Sequence, residues 1–128
     1  MKFRVQAIQD ININRLVTLT DGEEGVPSVR YSQVEEIPDY YSIKNLFEGE
    51  ETLVEFKPLK LWEIESGADM VAGTRVETGE NGVVIPSNNT GIGYIIEDVL
   101  EGGIAKFVFK VKGDRGVGLE FNWNGTSL

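Results

Sequence analysis

A pattern that occurs twice in 128 residues constrains this chain most: a polar turn punctuated by glycine, an extended apolar stretch, then Glu-Gly and a closing alternating strand. In the first half it reads Asp21-Gly22-Glu23-Glu24-Gly25-Val26, then Tyr41-Ser42-Ile43, then Glu48-Gly49 ahead of Leu53-Val54-Glu55-Phe56-Lys57. The second half has Gly79-Glu80-Asn81-Gly82-Val83, then Tyr94-Ile95-Ile96, then Glu101-Gly102 ahead of Phe107-Val108-Phe109-Lys110. The Glu-Gly units align at an offset of 53 and the turns at 57. Two β units of this kind, with no catalytic constellation between them, point to a compact module that works through its surfaces.

Between these landmarks, alternation with a period of two and β-branched residues dominate, and helical periodicity is nearly absent. Leu16 to Thr20, Val26 to Tyr31, Leu53 to Phe56, Leu59 to Glu65, Ile92 to Ile96 and Phe107 to Val111 read as strands, with Gly116 to Trp123 a further strand or an ordered tail. Pro27 cannot donate to a ladder and belongs at an edge or a strand start. Asn81-Gly82 is the strongest hairpin signal, because a type I′ turn needs positive φ at both central residues. Gly91 and Gly93 signal close backbone approach or a bulge. The stretch Ser66 to Val76, bracketed by Gly67 and Gly73, reads as a loop leading into a strand. The fold class is all-β: a small β-sandwich or partly open barrel with long loops. Residues 1–13 read as an extended N-terminal arm, with Phe3, Val5 and Ala7 on one face, and residues 14–128 as a single β domain built from two related β units. The alternative for residues 1–13 is that they are the first strand of the core.

The chain has no cysteine, which excludes disulfides, iron-sulfur clusters and thiolate zinc sites. It has no histidine, the residue used most often as a general base near neutral pH and as a metal ligand. Ser42, Ser87 and Thr90 therefore lack a partner of the usual kind for nucleophilic catalysis. The glycine patterns at 79–82 and 91–93 lack the strand-loop-helix context of a phosphate cradle. No catalytic residue, metal or cofactor is assigned, and the expectation is a protein that is not an enzyme. Calcium held by Asp21, Glu23 and Glu24 with Asp39 is the sharper alternative for the acidic turn. Their spacing does not match a twelve-residue EF-hand loop, and a plain turn is the simpler reading.

Net charge is −9, unevenly spread. Residues 21–57 hold ten acids against three bases, while residues 1–15 and 102–128 are each net positive by two. An acidic globule suits a solvated surface and is poorly matched to a phosphate backbone, so no nucleic-acid partner is expected. No apolar run approaches the roughly 20 residues that cross a bilayer, and Met1-Lys2-Phe3-Arg4-Val5-Gln6 lacks a signal-peptide core. No membrane partner is expected, and synthesis in a host cytoplasm follows. Of the aromatics Tyr31, Tyr40, Tyr41, Trp62 and Trp123, most read as core. Trp62 and Trp123 are the candidates for a partner or subunit contact, Trp123 as an anchor near the C-terminus.

The run Ser66-Gly67-Ala68-Asp69-Met70-Val71-Ala72-Gly73-Thr74-Arg75-Val76, with Gly82-Val83-Val84-Ile85-Pro86, Gly91-Ile92-Gly93-Tyr94-Ile95-Ile96-Glu97-Asp98-Val99 and Ala105-Lys106-Phe107-Val108-Phe109, resembles the capsid decoration (head cement) proteins of tailed bacteriophages. The resemblance covers residues 66 to 113, and the acidic segment Glu35 to Glu55 departs from the compact family pattern. It implies a β-tulip-like module on the outer surface of the virion capsid. It also implies a homotrimer that binds the major capsid protein of an expanded head and stabilises the shell. On that reading the arm adds a strand to an edge on the shell: Phe3, Val5 and Ala7 make the apolar contacts, and Lys2 and Arg4 pair with shell acids. The competing readings are a stand-alone binding module for carbohydrate or protein, and another virion component such as a tail or head-completion protein.

Overall fold

The computed structural model describes residues 2–23, 25–55, 60–89 and 91–110. Ten strands make two five-stranded sheets, and each sheet comes from one half of the chain. The first holds β1 (Lys2–Ala7), β2 (Leu16–Glu23), β3 (Val26–Tyr31), β4 (Tyr40–Tyr41) and β5 (Glu51–Glu55). The second holds β6 (Leu61–Glu65), β7 (Arg75–Thr78), β8 (Val84–Pro86), β9 (Gly93–Ile95) and β10 (Ile104–Phe109). The architecture is all-β, as the alternation required, in the form of a curled, partly open sheet beside a second sheet.

The pairings repeat between the halves, register by register. Phe3 faces Val54 as Trp62 faces Phe107; Val17 faces Tyr31 as Val76 faces Pro86; Leu16 faces Tyr41 as Arg75 faces Tyr94. The parallel contact of Ala7 with Val29 recurs as the parallel bridge of Ser66 with Val84. Even the loops match. Ile11 and Leu46 exchange both backbone bonds at 2.8 Å, as Met70 and Val99 do at 2.8 and 2.9 Å. The carboxylate of Asp10 accepts the amide of Glu48 just as Asp69 accepts that of Glu101, each at 2.8 Å.

One pairing breaks the correspondence. In the second half β9 and β10 pair through Ile95 and Phe107, and with the Ser66 bridge the sheet closes on itself. In the first half no ladder joins β4 to β5 among the described residues. The closed unit surrounds a core of Trp62, Ile64, Val76, Ile95, Phe107 and neighbours, to which β2 contributes Leu16. The open unit has its own core of Val5, Ala7, Ile11, Val17, Val29 and Leu46.

The extended arm is corrected. Residues 2–7 form β1, which pairs with β5 from Lys2 to Gln6 and with β3 at Gln6 and Ala7, so it is a strand of the first sheet and not a free arm. Its alternation does put Phe3, Val5 and Ala7 on one face, but that face is the interior: Val5 and Ala7 are each 1% exposed. Ile11 is likewise buried, so no boundary falls after residue 13.

The turn at Asn81-Gly82 has the required positive φ, 57° and 75°. Thr78 still pairs with Val84, so the connection spans residues 79–83, longer than a two-residue hairpin loop. Gly82 serves a second purpose: a Cβ there would sit 2.5 Å from the Leu16 carbonyl oxygen, so the turn packs directly on β2 of the first unit. Arg15 fixes the same junction, donating to Glu65 and to the Asn81 carbonyl, each at 3.1 Å. At Gly93 a Cβ would lie 2.0 Å from the Val108 carbonyl oxygen, so the expected close approach is real. Pro27 occupies the second position of β3, a strand start as expected. Phe56, Leu59, Thr90 and the reading of Gly116 to Trp123 lie outside the described residues.

Candidate functional site

The place where the two units differ holds a candidate site. Between β4 and β5 of the first unit lies an apolar hollow of about 460 Å³, floored by Val5, Val17, Val29 and Leu46 and lipped by Tyr41 and Ser42 on one side and Thr52 to Val54 on the other. Comparison of equivalent positions explains why it exists. Phe3 stands where the second unit has Trp62, Val5 where it has Ile64, and Val54 where it has Phe107. At these three positions the first-unit side chain is the smaller one, whereas Leu19, Leu46 and Thr52 are larger than their counterparts Thr78, Val99 and Ala105. Interiors pack to crystal density when volumes match, so a repeated backbone with smaller inward residues leaves space.

Polar groups at the rim are occupied and hold the loops that frame the hollow. The Ser42 hydroxyl donates to the Asn12 carbonyl at 2.6 Å and accepts the Arg15 amide at 3.1 Å. Asp39 accepts the Leu19 amide at 2.9 Å. Glu50 accepts the Phe47 amide and pairs with Lys44 at 3.4 Å, and these contacts, the amide first, lower its pKa. Behind β3 the Arg30 guanidinium grips Glu36 through two bonds of 2.9 and 3.1 Å, and that hydrogen-bonded pairing holds the Glu36 carboxyl at a pKa of about 2. Burial raises the Tyr41 phenol. Among the described residues no group of three or more acids is placed to hold a metal ion. The lining is mostly apolar, with Lys2, Asp39 and Lys44 as its charged side chains.

The residues expected to make contacts are dispersed. Lys2 and Arg4 are exposed on β1, with Arg4 3.7 Å from Glu51. Phe3, Val5 and Ala7 belong to the first core. Trp62 is 5% exposed and is corrected from a contact residue to a core one: it stacks on Phe109 at 4.4 Å, with Tyr40 and Tyr41 against it at 6.1 and 5.4 Å. Its indole fills a closed unit, so it presents no platform. Trp123 lies outside the described residues. The hollow itself was missed. The signal was the repeat, because aligning the two halves shows Val54 against Phe107, a deficit visible without coordinates.

Comparison with known proteins identifies the setting of this module. A family model described as head fiber protein matches residues 1–115. The chain belongs to the head fiber protein family. A head fiber protein of Bacillus phage Nf is 30% identical over 96 residues, which is 73% of this chain and 37% of the relative. A capsid fiber protein of Bacillus phage B103 is 32% identical over 89 residues, 68% of this chain and 31% of the relative. The match thus spans about a third of the length of these relatives. The crystal structure of the head fiber gp8.5 N base of bacteriophage phi29 is similar at a TM-score of 0.84 with 25% identity, over 90% of this chain and 98% of that one. Head fiber membership makes the chain a phage structural protein, within the capsid-decoration class that the second-half motifs resembled. Proteins of this family are virion components of the capsid exterior.

Proposed function

We propose that this head fiber chain is a base module that attaches to the outside of an expanded phage head through the major capsid protein and stabilises the shell. The observation that carries the reading is the likeness to the phi29 head fiber N base, which extends over 98% of that chain at a TM-score of 0.84. A homotrimer fits this role, since three weak contacts on one rigid assembly raise the effective affinity by orders of magnitude. The acidic surface of the chain, −9 in all, would keep decorated particles apart. Of the five β1 residues first assigned to the shell, Lys2 and Arg4 remain on the surface to pair with shell acids.

The test is co-sedimentation of the purified chain with fiberless heads of its phage, comparing compact precursors with expanded shells. Saturable binding to expanded shells alone is the expected result. Equal binding to both forms would remove the dependence on expansion, and binding to neither would sink the proposal. Sedimentation equilibrium of the free chain gives the subunit number, for which three is expected.

A further inference from the structure

The junction between the two units covers one face of the first and leaves the matching face of the second open. Leu16 and Tyr41 pair across β2 and β4 and alternate with Val17 and Tyr40, which belong to the first core. The second unit seats on that outward pair: Leu16 is 0% exposed within the second core, and the Tyr41 ring lies 5.4 Å from that of Trp62. Backbone completes the junction, with the Glu65 amide donating to the Asn14 carbonyl at 2.8 Å and Arg15 holding the Glu65 carboxylate. On the second unit the equivalent outward pair is Arg75 with Tyr94. Tyr94 is 38% exposed, the Arg75 guanidinium stacks on its ring at 4.2 Å, and the row continues in register through Val108 to Leu61, 44% exposed. An apolar row across three neighbouring strands is a contiguous patch rather than a scatter of single side chains, and such patches mark contact surfaces.

We propose that this row on the second unit seats the first unit of a second copy of the chain, repeating between copies the contact that joins the two units within one. The inference rests on the homotrimer reading above and names the surface through which the copies meet. The internal repeat selects the occupant. The side of a unit that covers Leu16 and Tyr41 is the one carrying Trp62 and Glu65, and the first unit has the same side, with half-buried Phe3 and Gln6 at those positions. The exchange of Leu16 for Arg75 suits this partner as well. The turn that packs on Leu16 spans residues 79–83, and its counterpart on the first unit is the connection of β2 to β3, whose exposed Asp21 offers a carboxylate to a guanidinium. Such a contact joins two different surfaces, so each copy uses one and offers the other, and the series closes into a ring when its rotation closes.

Two measurements test the surface. Each copy carries −9, so both are made at physiological ionic strength, where a Debye length of about 8 Å screens the repulsion between copies. In sedimentation equilibrium, Tyr94→Glu should retain the β circular dichroism of the wild type while its mass falls from that of the multimer to that of one chain. Within the chain Arg15 meets Glu65, so between copies Thr74 should meet Gln6, and the sequence has no cysteine to interfere with labelling there. Chains carrying Gln6→Cys and chains carrying Thr74→Cys, co-expressed and treated with a short bismaleimide, should give a covalent heterodimer, and each variant alone should give none as a main product. A main product from either variant alone would indicate a two-fold contact and overturn the head-to-tail surface. A wild-type multimer with undiminished association by folded Tyr94→Glu and no heterodimer would overturn this surface while leaving the multimer intact. A wild-type chain that sediments as a monomer would overturn the trimer and this surface with it. Should Tyr94→Glu fail to fold, the cross-linked product decides alone.

Discussion

Gly82→Ala tests whether the two units are locked together at a backbone contact, and its cost can be worked out in two parts. Gly82 has φ +75°, and placing an L-residue there costs about 1–2 kcal/mol. The added Cβ would also lie 2.5 Å and 2.9 Å from the oxygen and nitrogen of Leu16, atoms of β2 that cannot rotate away. Relief requires moving the turn off the first unit, and overpacking of this kind costs a further 1–3 kcal/mol or so. The sum is about 2–5 kcal/mol. Gly49→Ala is the control: its φ is +87° but nothing lies within 4 Å of the added carbon, so only the conformational part, about 1–2 kcal/mol, should appear. Urea denaturation followed by tryptophan fluorescence gives both values, with Trp62, 5% exposed, as reporter in a Trp123→Phe background. Equal destabilisation by the two variants would show that the junction is not close-packed and refute the argument. A lowered slope for Gly82→Ala alone would mean that the units have begun to unfold separately.

Three further outcomes follow from other contacts. Glu36 has its pKa lowered from 4.5 to about 2 by the Arg30 hydrogen bonds. A depressed carboxylate stabilises the fold above its unfolded pKa and loses that stabilisation as pH falls through its folded one. Wild type should thus exceed Glu36→Gln by at most about 3 kcal/mol near neutrality, the difference vanishing between about pH 5 and pH 2; a difference independent of pH would refute the pairing. Phe107→Ala should cost about 3–5 kcal/mol in the closed unit, and Val54→Ala, at the equivalent position beside an existing hollow, should cost clearly less, about 1 kcal/mol; thermal melts distinguish them. Deleting residues 1–13 removes a strand paired on both sides, so the truncated chain should lose its β circular dichroism; a folded truncation would contradict the placement of β1.

Local chemistry was legible in the sequence, and relations between distant segments were not. Asn81-Gly82 and Gly93 each announce a backbone requirement that only glycine or asparagine meets at low cost, and both requirements are present. The alternation of Leu61 to Glu65 returns as buried Trp62 and Ile64 between exposed neighbours. Phe3, Val5 and Ala7 misled because a free augmenting strand and a central strand share one pattern. What separates them is the parallel pairing of Ala7 with Val29, fixed by the path of the whole chain and by no residue nearby. Trp62 misled similarly: its partners Tyr40 and Tyr41 come from the other unit. Asp10, Asp69 and Asp98 each accept a loop amide, Asp98 from Ala72 at 2.9 Å, between segments too far apart in sequence for their spacing to announce it.

The repeat was visible, but its meaning depended on seeing where it fails. Two units with the same ladders and the same aspartate-held loops need the same backbone, and the ladders require little of the side chains beyond alternation. Inward side-chain volume is then free to vary, and it varies in both directions: Phe3 for Trp62, Val5 for Ile64 and Val54 for Phe107 are losses, whereas Leu19 for Thr78, Leu46 for Val99 and Thr52 for Ala105 are gains. The gains do not fill the space left at Val54 and Ser42, where the hollow lies beside the β4–β5 ladder that is absent among the described residues. The same ladders thus enclose a filled core in the second unit and leave a hollow in the first, so the repeat fixes the backbone and the side chains at the β4–β5 seam decide whether the unit is full.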